Sequence, residues 1–192
     1  KGFRMPIDRR VARLRWGLAP EPPVVVMMIG AYGMMRGAVE ACRRLAYLAE
    51  PLQLVVVTGY DRQLFHTLSA ELSASPHPVR VLGYVEDVPQ LMAASDVLVT
   101  KAGGLTVSEA LAMGACTVVY SPIPGQEEGN AEYLRRHGAA EVAPSPAALE
   151  RLVSALLRDP RRRRLLAENA RALGRPNAAS DAAALIVERV PA

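Results

Sequence analysis

The sequence has few of the residues that bind metals or form disulfides. It contains two cysteines and three histidines in 192 residues. Cys42 falls in a helical pattern and Cys116 in an apolar strand pattern, and neither has metal-ligand spacing. The histidines also lie far apart, without acidic or cysteine partners at motif spacing: His66, His77 and His137. We therefore expect two reduced core cysteines and no metal site.

Long apolar runs are also missing. No stretch approaches the roughly 18–20 apolar residues that a transmembrane helix needs, and the first residues, Lys1 to Arg4, lack the apolar core of a signal peptide. The sequence does not begin with methionine, so we expect further sequence upstream. These features predict a cytoplasmic protein, with a peripheral position on the inner face of the cell membrane as an alternative.

Lysine is scarce, whereas arginine is abundant. The net charge is +4, and the only lysine after the first residue is Lys101. Six arginines crowd one C-terminal segment, namely Arg151, Arg158 and Arg161 to Arg164. We interpret them as a solvated helix face, and the alternative is contact with an anionic membrane surface or another domain. The absence of interleaved aromatic residues argues against nucleic acid.

Apolar runs alternate with helical patterns along the chain. The strand candidates are Val24 to Ile29, Leu52 to Val57, Val79 to Leu82, Val97 to Val99 and Thr117 to Tyr120. Helical patterns fall at about 34–49, 61–74, 88–94, 105–113 and 127–136, and again after Pro144, with breaks at Pro160 and Gly174. This order predicts an α/β fold, a Rossmann-like doubly wound parallel sheet of about six strands with a helical C-terminal tail. The loops that follow the strands then converge at one edge of the sheet, where ligands bind.

The segment Thr100 to Asn130 contains the strongest functional signal. A glycine turn at Gly103 and Gly104 leaves backbone N–H groups free at the start of a helix, and Thr106 adds a hydroxyl. Free N–H groups and the helix dipole make such a start an anion site. Glu109 follows one turn later, where a carboxylate suits a neutral diol such as ribose. The alternative is an ordinary helix start with Glu109 in a solvated turn.

Three other loops fall at the same predicted edge. The glycines of the loop Gly30 to Met35 allow close backbone approach to a ligand, and the alternative is a tight turn. Tyr84 and Val85 offer a flat surface and backbone groups to a nucleobase, unless this is an ordinary loop with Asp87 as a helix cap. The loop Pro122 to Asn130 aligns amide and carboxylate groups that suit a polyol, and its alternative is a capped turn.

Together these motifs resemble the nucleotide-binding half of the two-domain, GT-B-type (family 28-like) glycosyltransferases. The resemblance is carried by GYVEDVPQLMAASDVLVTKAGGLTVSEALAMG and SPIPGQEEGNAEYL and covers about residues 2–172. It is stronger to monogalactosyl- and glucosyl-diacylglycerol synthases than to the lipid II-forming N-acetylglucosaminyltransferase. It implies a linker at 1–23 from an N-terminal acceptor domain, a donor-binding domain at 24–172 and a C-terminal helix or tail at 173–192.

The resemblance assigns roles to the residues around the nucleotide. Glu109 matches the acid that holds the ribose hydroxyls. Tyr84 and Val85 match the backbone that contacts uracil. The diphosphate-binding turn of the family matches Gly103, Gly104, Leu105 and Thr106.

The resemblance also assigns residues to the sugar side. Gln126 and Glu127 match the pair that recognises the donor sugar, and Asn130 ends that motif. A glycine loop near the diphosphate and the acceptor matches Gly30, Gly33 and Met34. The family usually has three consecutive glycines there, whereas this chain has Gly30-Ala31-Tyr32-Gly33. The added side chains are expected to narrow or remodel the acceptor side of the cleft.

The implied function is that of the donor-binding domain of an inverting, metal-independent hexosyltransferase. It takes a UDP-hexose, needs no cofactor, and serves a lipid acceptor, in the first place diacylglycerol. The family's catalytic base and acceptor site lie largely in the N-terminal domain, so we assign no catalytic residue and expect the chain alone to be inactive. One alternative is a nucleotide-sugar epimerase, which ranks lower because the paired glutamates, Glu127 and Glu128, lie in the later loop. Another is a non-catalytic nucleotide-sugar sensor or interaction module.

Overall fold

The computed structural model describes residues 7–31, 35–125 and 127–189. Over these ranges six strands form one parallel sheet: β1 (Val24–Met28), β2 (Gln53–Val57), β3 (Val79–Leu82), β4 (Val97–Thr100), β5 (Thr117–Tyr120) and β6 (Ala140–Ala143). The same ranges contain nine helices: α1 (Arg9–Arg15), α2 (Ala38–Ala46), α3 (Arg62–Glu71), α4 (Val88–Ala94), α5 (Gly104–Met113), α6 (Glu128–Arg136), α7 (Pro146–Arg158), α8 (Pro160–Leu173) and α9 (Ala178–Arg189).

The order of the strands creates a crevice in the middle of the sheet. The order is β3-β2-β1-β4-β5-β6, and every pair is parallel. After β1 the chain proceeds toward β3, and after β4 it proceeds the other way, so the loops after these two neighbours diverge. Met28 pairs in register with both Val57 and Thr100, so the three strands end at one level. This is the switch point at which open α/β sheets bind ligands, and the predicted doubly wound sheet is confirmed.

The central strands are apolar because helices cover both faces of the sheet. All residues of β2 and β4 are buried, as expected for parallel strands inside an α/β domain. Cys42 and Cys116 are free thiols in this core, and burial raises the pKa of both to about 12. They are therefore protonated packing residues at neutral pH.

The sequence analysis identified five of the six strands by position. It missed β6 because this strand is short, half-polar and at the sheet edge: Ala140-Glu141-Val142-Ala143. The helical C-terminal region was predicted correctly, with α7 ending before Pro160 and α8 ending at Gly174.

The first described residues form a helix that packs on the domain. Asp8 caps α1, Ala12 is fully buried, and the buried guanidinium of Arg13 donates to the Ala94 carbonyl. The assignment of residues 1–23 to an interdomain linker remains a prediction. At the other end, α9 has no buried residue. Within the described ranges no helix combines the length and apolar character that a membrane span requires.

Candidate functional site

The loops after β1, β4 and β5 meet around one side chain, that of Lys101. A Cβ placed on Gly30 would lie 3.4 Å from Lys101 Cε. A Cβ placed on Gly103 would lie 3.8 Å from both Lys101 Cε and Glu127 Oε1. The structure therefore brings together the sequence-predicted Gly30, Gly103 and Glu127 at the switch point. The predicted residues Gly33, Met34 and Gln126 lie outside the described residues.

The start of α5 presents free backbone donors to this cleft. Its N-cap is Gly103, which has no side chain to accept a hydrogen bond. The first bond of the helix joins the Val107 N–H to the Gly103 carbonyl at 2.9 Å. The N–H groups of Gly104, Leu105 and Thr106 have no acceptor among the described residues. Free donors at the positive end of a helix dipole are the arrangement at which proteins bind anions.

Space is available in front of these donors. A Cβ on Gly104 would have no neighbour within 4 Å, and Leu105 is 84% exposed. The Ser108 hydroxyl donates back to the Gly104 carbonyl at 2.8 Å and leaves the N–H groups free. The start of α5 is therefore open on the side of Gly104 and Leu105, whereas the Lys101 side chain lies beside Gly103.

Glu109 lies on α5 three residues after Thr106, a spacing that places both on one helix face. The side chain is half-buried, and this burial raises the pKa of its carboxyl. Among the described residues it has no hydrogen-bond or ion-pair partner. A half-buried carboxylate without partners has its acceptor capacity available for a ligand.

Glu127 is a buried acid that braces the loop after β5. Its side chain is 4% exposed; Oε1 lies 3.1 Å from Lys101 Nζ, and Oε2 accepts the Ile123 N–H at 3.2 Å. The carboxylate of the next residue, Glu128, accepts the Gly125 N–H at 3.0 Å. Two neighbouring carboxylates therefore hold the loop after β5 at two points, Ile123 and Gly125. These contacts fix the Glu127 carboxylate beside the glycine turn.

The side chain of Asn130 supports the glycine turn that precedes α5. Its side-chain amide donates to the Ala102 carbonyl at 2.9 Å and ties α6 to the glycine turn. This bond uses one amide donor and leaves the carbonyl oxygen of the side chain free for another partner.

Two aromatic rings form a flat surface on the β3 side of the cleft. Tyr84 stacks on Tyr60 with centroids 4.3 Å apart and planes at 12°, and both are more than half exposed. Val85 is buried beside them. The Tyr60 N–H donates to Ala31 O at 2.7 Å, so this pair is tied to the first loop. Sequence patterns did not single out Tyr60, although its position in the loop after β2, three residues beyond Val57, was a usable signal.

Asp87 does not act as the helix cap that one interpretation assigned to it. It occupies the N-cap position of α4 but accepts no cap hydrogen bond. Its carboxylate pairs with Arg15 of α1 at 2.8 Å instead, a partner distant in sequence.

An open groove of about 720 Å³ lies on the β5 side of the cleft. Its walls come from Met35 and Arg36 at the start of α2 and from the segment Ser121–Pro124 after β5. Ser121 has φ +46°, and no other non-glycine residue in the described ranges has a positive φ. Residues in this region store backbone strain and occur often at functional sites. The groove adjoins the loop that Glu127 braces.

The arginine-rich segment lies at the opposite edge of the sheet, and three of its six members have structural partners. Arg163 donates to the Leu156 and Leu157 carbonyls, at 2.5 and 2.9 Å, and closes the C-terminus of α7. Arg158 pairs with Glu50 at 3.2 Å, and Arg162 pairs with Glu141. These arginines therefore act in the packing of α7 and α8 as well as on a solvated face. No cluster of acids, cysteines and histidines suited to a metal occurs in the described ranges.

Comparisons with known proteins identify the family. The sequence profile of the family described as "Glycosyl transferases group 1" matches residues 14–173. The processive diacylglycerol beta-glucosyltransferase of Bacillus licheniformis is 31% identical over 187 residues, which make up 97% of this chain and 49% of that protein. MurG of Acinetobacter baumannii superimposes with a TM-score of 0.79 at 24% identity, over 98% of this chain and 55% of MurG. HepE of Anabaena, solved in complex with UDP-glucose, gives 0.71 at 20% identity, over 97% of this chain and 54% of that chain.

These matches confirm the resemblance to GT-B glycosyltransferases. The chain spans about half the length of these relatives, and its fold is that of one Rossmann-like half. The profile covers most of the chain, from α1 to the end of α8. The chain belongs to the group 1 glycosyl transferase family.

Proposed function

We propose that this chain binds the UDP-sugar donor of an inverting hexosyltransferase. The observation that carries the proposal is the uncapped start of α5, together with Glu109 on the same helix, which has no partner within the described ranges. The bare N–H groups suit a diphosphate and the carboxylate suits the ribose hydroxyls. Together they match the two chemically different parts of a nucleotide diphosphate.

The remaining parts of the donor follow from the neighbouring loops. The exposed rings of Tyr60 and Tyr84 provide a surface for uracil, whose edge then pairs with the backbone of Val85. Glu127, with Gln126, recognises hydroxyls of the hexose, and the groove at Ser121–Pro124 accommodates the transferred sugar and the approaching acceptor. Gly30, with Gly33 and Met34, lies against the diphosphate and the acceptor.

The chemistry is a direct displacement at the anomeric carbon. Charge develops on the departing UDP, and preorganised N–H groups at a helix start stabilise that charge. The base that activates the acceptor belongs to another domain of the whole enzyme, so this chain contributes donor binding and leaving-group stabilisation. In this proposal residues 1–23 link the two domains, 24–172 form the donor domain and 173–192 form a tail.

The acceptor in this proposal is a lipid, with diacylglycerol as the first candidate. Support comes from the relatives named as processive diacylglycerol beta-glucosyltransferases. A lipid acceptor requires the enzyme to work at a membrane surface, and contact with anionic lipid is a role for the exposed arginines Arg161 and Arg164.

Nucleotide selectivity tests the proposal. UDP is expected to raise the melting temperature of this chain more than ADP or GDP does, because only uracil fits the Tyr84–Val85 edge. Equal shifts for the three nucleotides would remove uracil recognition from the proposal.

The role of Glu109 is tested in the same titration. Glu109→Ala should weaken UDP binding by roughly 1.5–3 kcal/mol, the scale of hydrogen bonds to a charged group. Glu168→Ala, the same change on the exposed face of α8, is the control and should leave the dissociation constant unchanged. If calorimetry gives equal affinities for both variants, Glu109 is an ordinary helix residue.

A further inference from the structure

The ion pair between Lys101 and Glu127 lies between the two subsites of the proposed donor site. Lys101 Nζ is 3.1 Å from Glu127 Oε1, and the two side chains are 27% and 4% exposed. Lys101 follows β4 directly and leads into the glycine turn, whereas Glu127 begins α6. One partner therefore belongs to the diphosphate side of the cleft and the other to the sugar side.

The lysine side chain crosses the path of any diphosphate at the start of α5. Its Cε would lie 3.4 Å from a Cβ on Gly30 and 3.8 Å from one on Gly103. A diphosphate that accepts the free N–H groups of α5 enters this same gap between the two glycines. Its negative charges then compete with Glu127 for the ammonium group.

We propose that Lys101 selects the diphosphate and positions Glu127, by turning from the Glu127 carboxylate to the β-phosphate of the donor when the donor binds. This inference rests on the proposed function. The β-phosphate is the one involved because it carries the hexose, and Glu127 is the hexose-recognising partner of Lys101. Once Lys101 turns away, the Glu127 carboxylate accepts sugar hydroxyls in its place.

The burial of Glu127 couples these two events. A buried carboxylate that loses its only cationic partner is costly unless new hydrogen bonds replace that partner. Among the described residues, the Ile123 N–H is the one hydrogen-bond donor that remains to Glu127 when Lys101 leaves. UDP without a sugar therefore leaves Glu127 poorly satisfied, whereas a UDP-hexose replaces the lost ammonium with hydroxyl donors.

The choice of lysine fits the narrow gap. An ammonium is compact and moves on a flexible stem, whereas a guanidinium is planar and wide. The chain uses arginine almost everywhere else, and even a single Cβ added to Gly30 would lie 3.4 Å from Lys101 Cε.

The test is calorimetry on this chain with uridine, UMP, UDP and UDP-glucose. Lys101→Met should weaken UDP and UDP-glucose about tenfold or more, the scale of one lost charge-assisted hydrogen bond. It should leave uridine and UMP within about twofold, since neither carries a β-phosphate. Lys101→Arg should restore UDP binding only in part.

The complementary variant separates the sugar from the phosphate. Glu127→Gln removes the competitor for Lys101, so UDP should bind as tightly as before or more tightly. The advantage of UDP-glucose over UDP should shrink in this variant. A Lys101→Met, Glu127→Gln double variant contains no unpaired buried carboxylate, and it should bind UMP normally and UDP weakly.

The outcomes are distinct. If Lys101→Met weakens all four ligands equally, or leaves UDP unchanged, Lys101 does not select the diphosphate. If Glu127→Gln weakens the binding of UDP as strongly as that of UDP-glucose, Lys101 does not move from Glu127 to the β-phosphate, and the proposed coupling of the two subsites is wrong. If the wild-type chain binds none of the uridine ligands, the proposed function itself fails and this inference fails with it.

Discussion

The N-termini of α8 and α5 differ in how they satisfy the first backbone N–H groups of the helix, which have no partner inside the helix. At α8, Asp159 accepts hydrogen bonds from the N–H groups of Arg161 and Arg162, both at 3.0 Å. At α5, Gly103 has no side chain that could accept these bonds, and the N–H groups of Gly104, Leu105 and Thr106 have no acceptor among the described residues. A side-chain cap stabilises a helix by about 1 kcal/mol. This stabilisation is missing at α5, where the free N–H groups face the cleft.

The same contrast holds across the domain. Side chains of Asp8, Asp61, Ser145 and Asp159 cap α1, α3, α7 and α8. The helices that follow β1, β4 and β5, which are α2, α5 and α6, have no side-chain cap. The start of α4 is also uncapped, because its Asp87 pairs with Arg15. Bare helix starts therefore cluster at the switch point, where a ligand can supply the missing acceptor.

The strongest way to break this contrast is to install a cap on α5. Gly103→Asp should weaken UDP binding by about 1.5–3 kcal/mol or more, because its carboxylate takes the N–H groups and repels the diphosphate. The backbone at Gly103 has φ −65°, which any residue adopts, and a new Cβ would find its nearest neighbours at 3.8 Å. The new cap should raise the free energy of unfolding by at most about 1 kcal/mol, because the added carboxylate also lies beside that of Glu127.

Gly103→Ala is the matched control for the new side chain. It adds the same Cβ but no acceptor, so its loss of UDP affinity in calorimetry should be much smaller than that of Gly103→Asp. Equal losses of affinity in the Asp and Ala variants would mean that the glycine is needed for space alone.

Removal of a cap from α8 is expected to have the reverse pattern. Asp159→Ala should lower the free energy of unfolding by about 1 kcal/mol, because two N–H groups lose their acceptor. UDP binding should be unchanged, since α8 starts away from the cleft. Urea unfolding and calorimetry on one preparation measure both quantities. A loss of UDP affinity without a loss of stability would contradict the comparison, because the start of α8 would then serve ligand binding and not helix stability.

Sequence patterns identified the elements of the site but not their long-range partners. The strands and the helix start after the glycine turn were predictable because hydrophobic period and turn chemistry are local signals, and the donor-binding roles of this turn and of Glu109 stay predictions. The Tyr60–Tyr84 stack depends on the pairing of β2 with β3, which no local pattern specifies.

Two polar contacts could not be predicted from the sequence, because both join residues that are distant along the chain. Asn130 bonds to the Ala102 carbonyl, 28 residues away, where the motif alone indicated a ligand contact. Asp87 pairs with Arg15, where local spacing indicated a helix cap. In both cases a polar side chain had a local explanation from the sequence and a distant partner in the fold.

The smallest expected effect concerns the stability cost of Glu109 itself. Burial raises the pKa of this carboxyl in the folded chain, so the folded state binds its proton more tightly than the unfolded state does. Its contribution to stability is therefore most favourable below the unfolded pKa and is lost as the pH rises through the folded pKa. Glu109→Gln should raise the melting temperature slightly at neutral pH, and that gain should shrink as the pH falls through the acidic range. If the gain in melting temperature stays constant with pH, it comes from packing. The negative charge of Glu109 would then not be what lowers the stability of the folded chain.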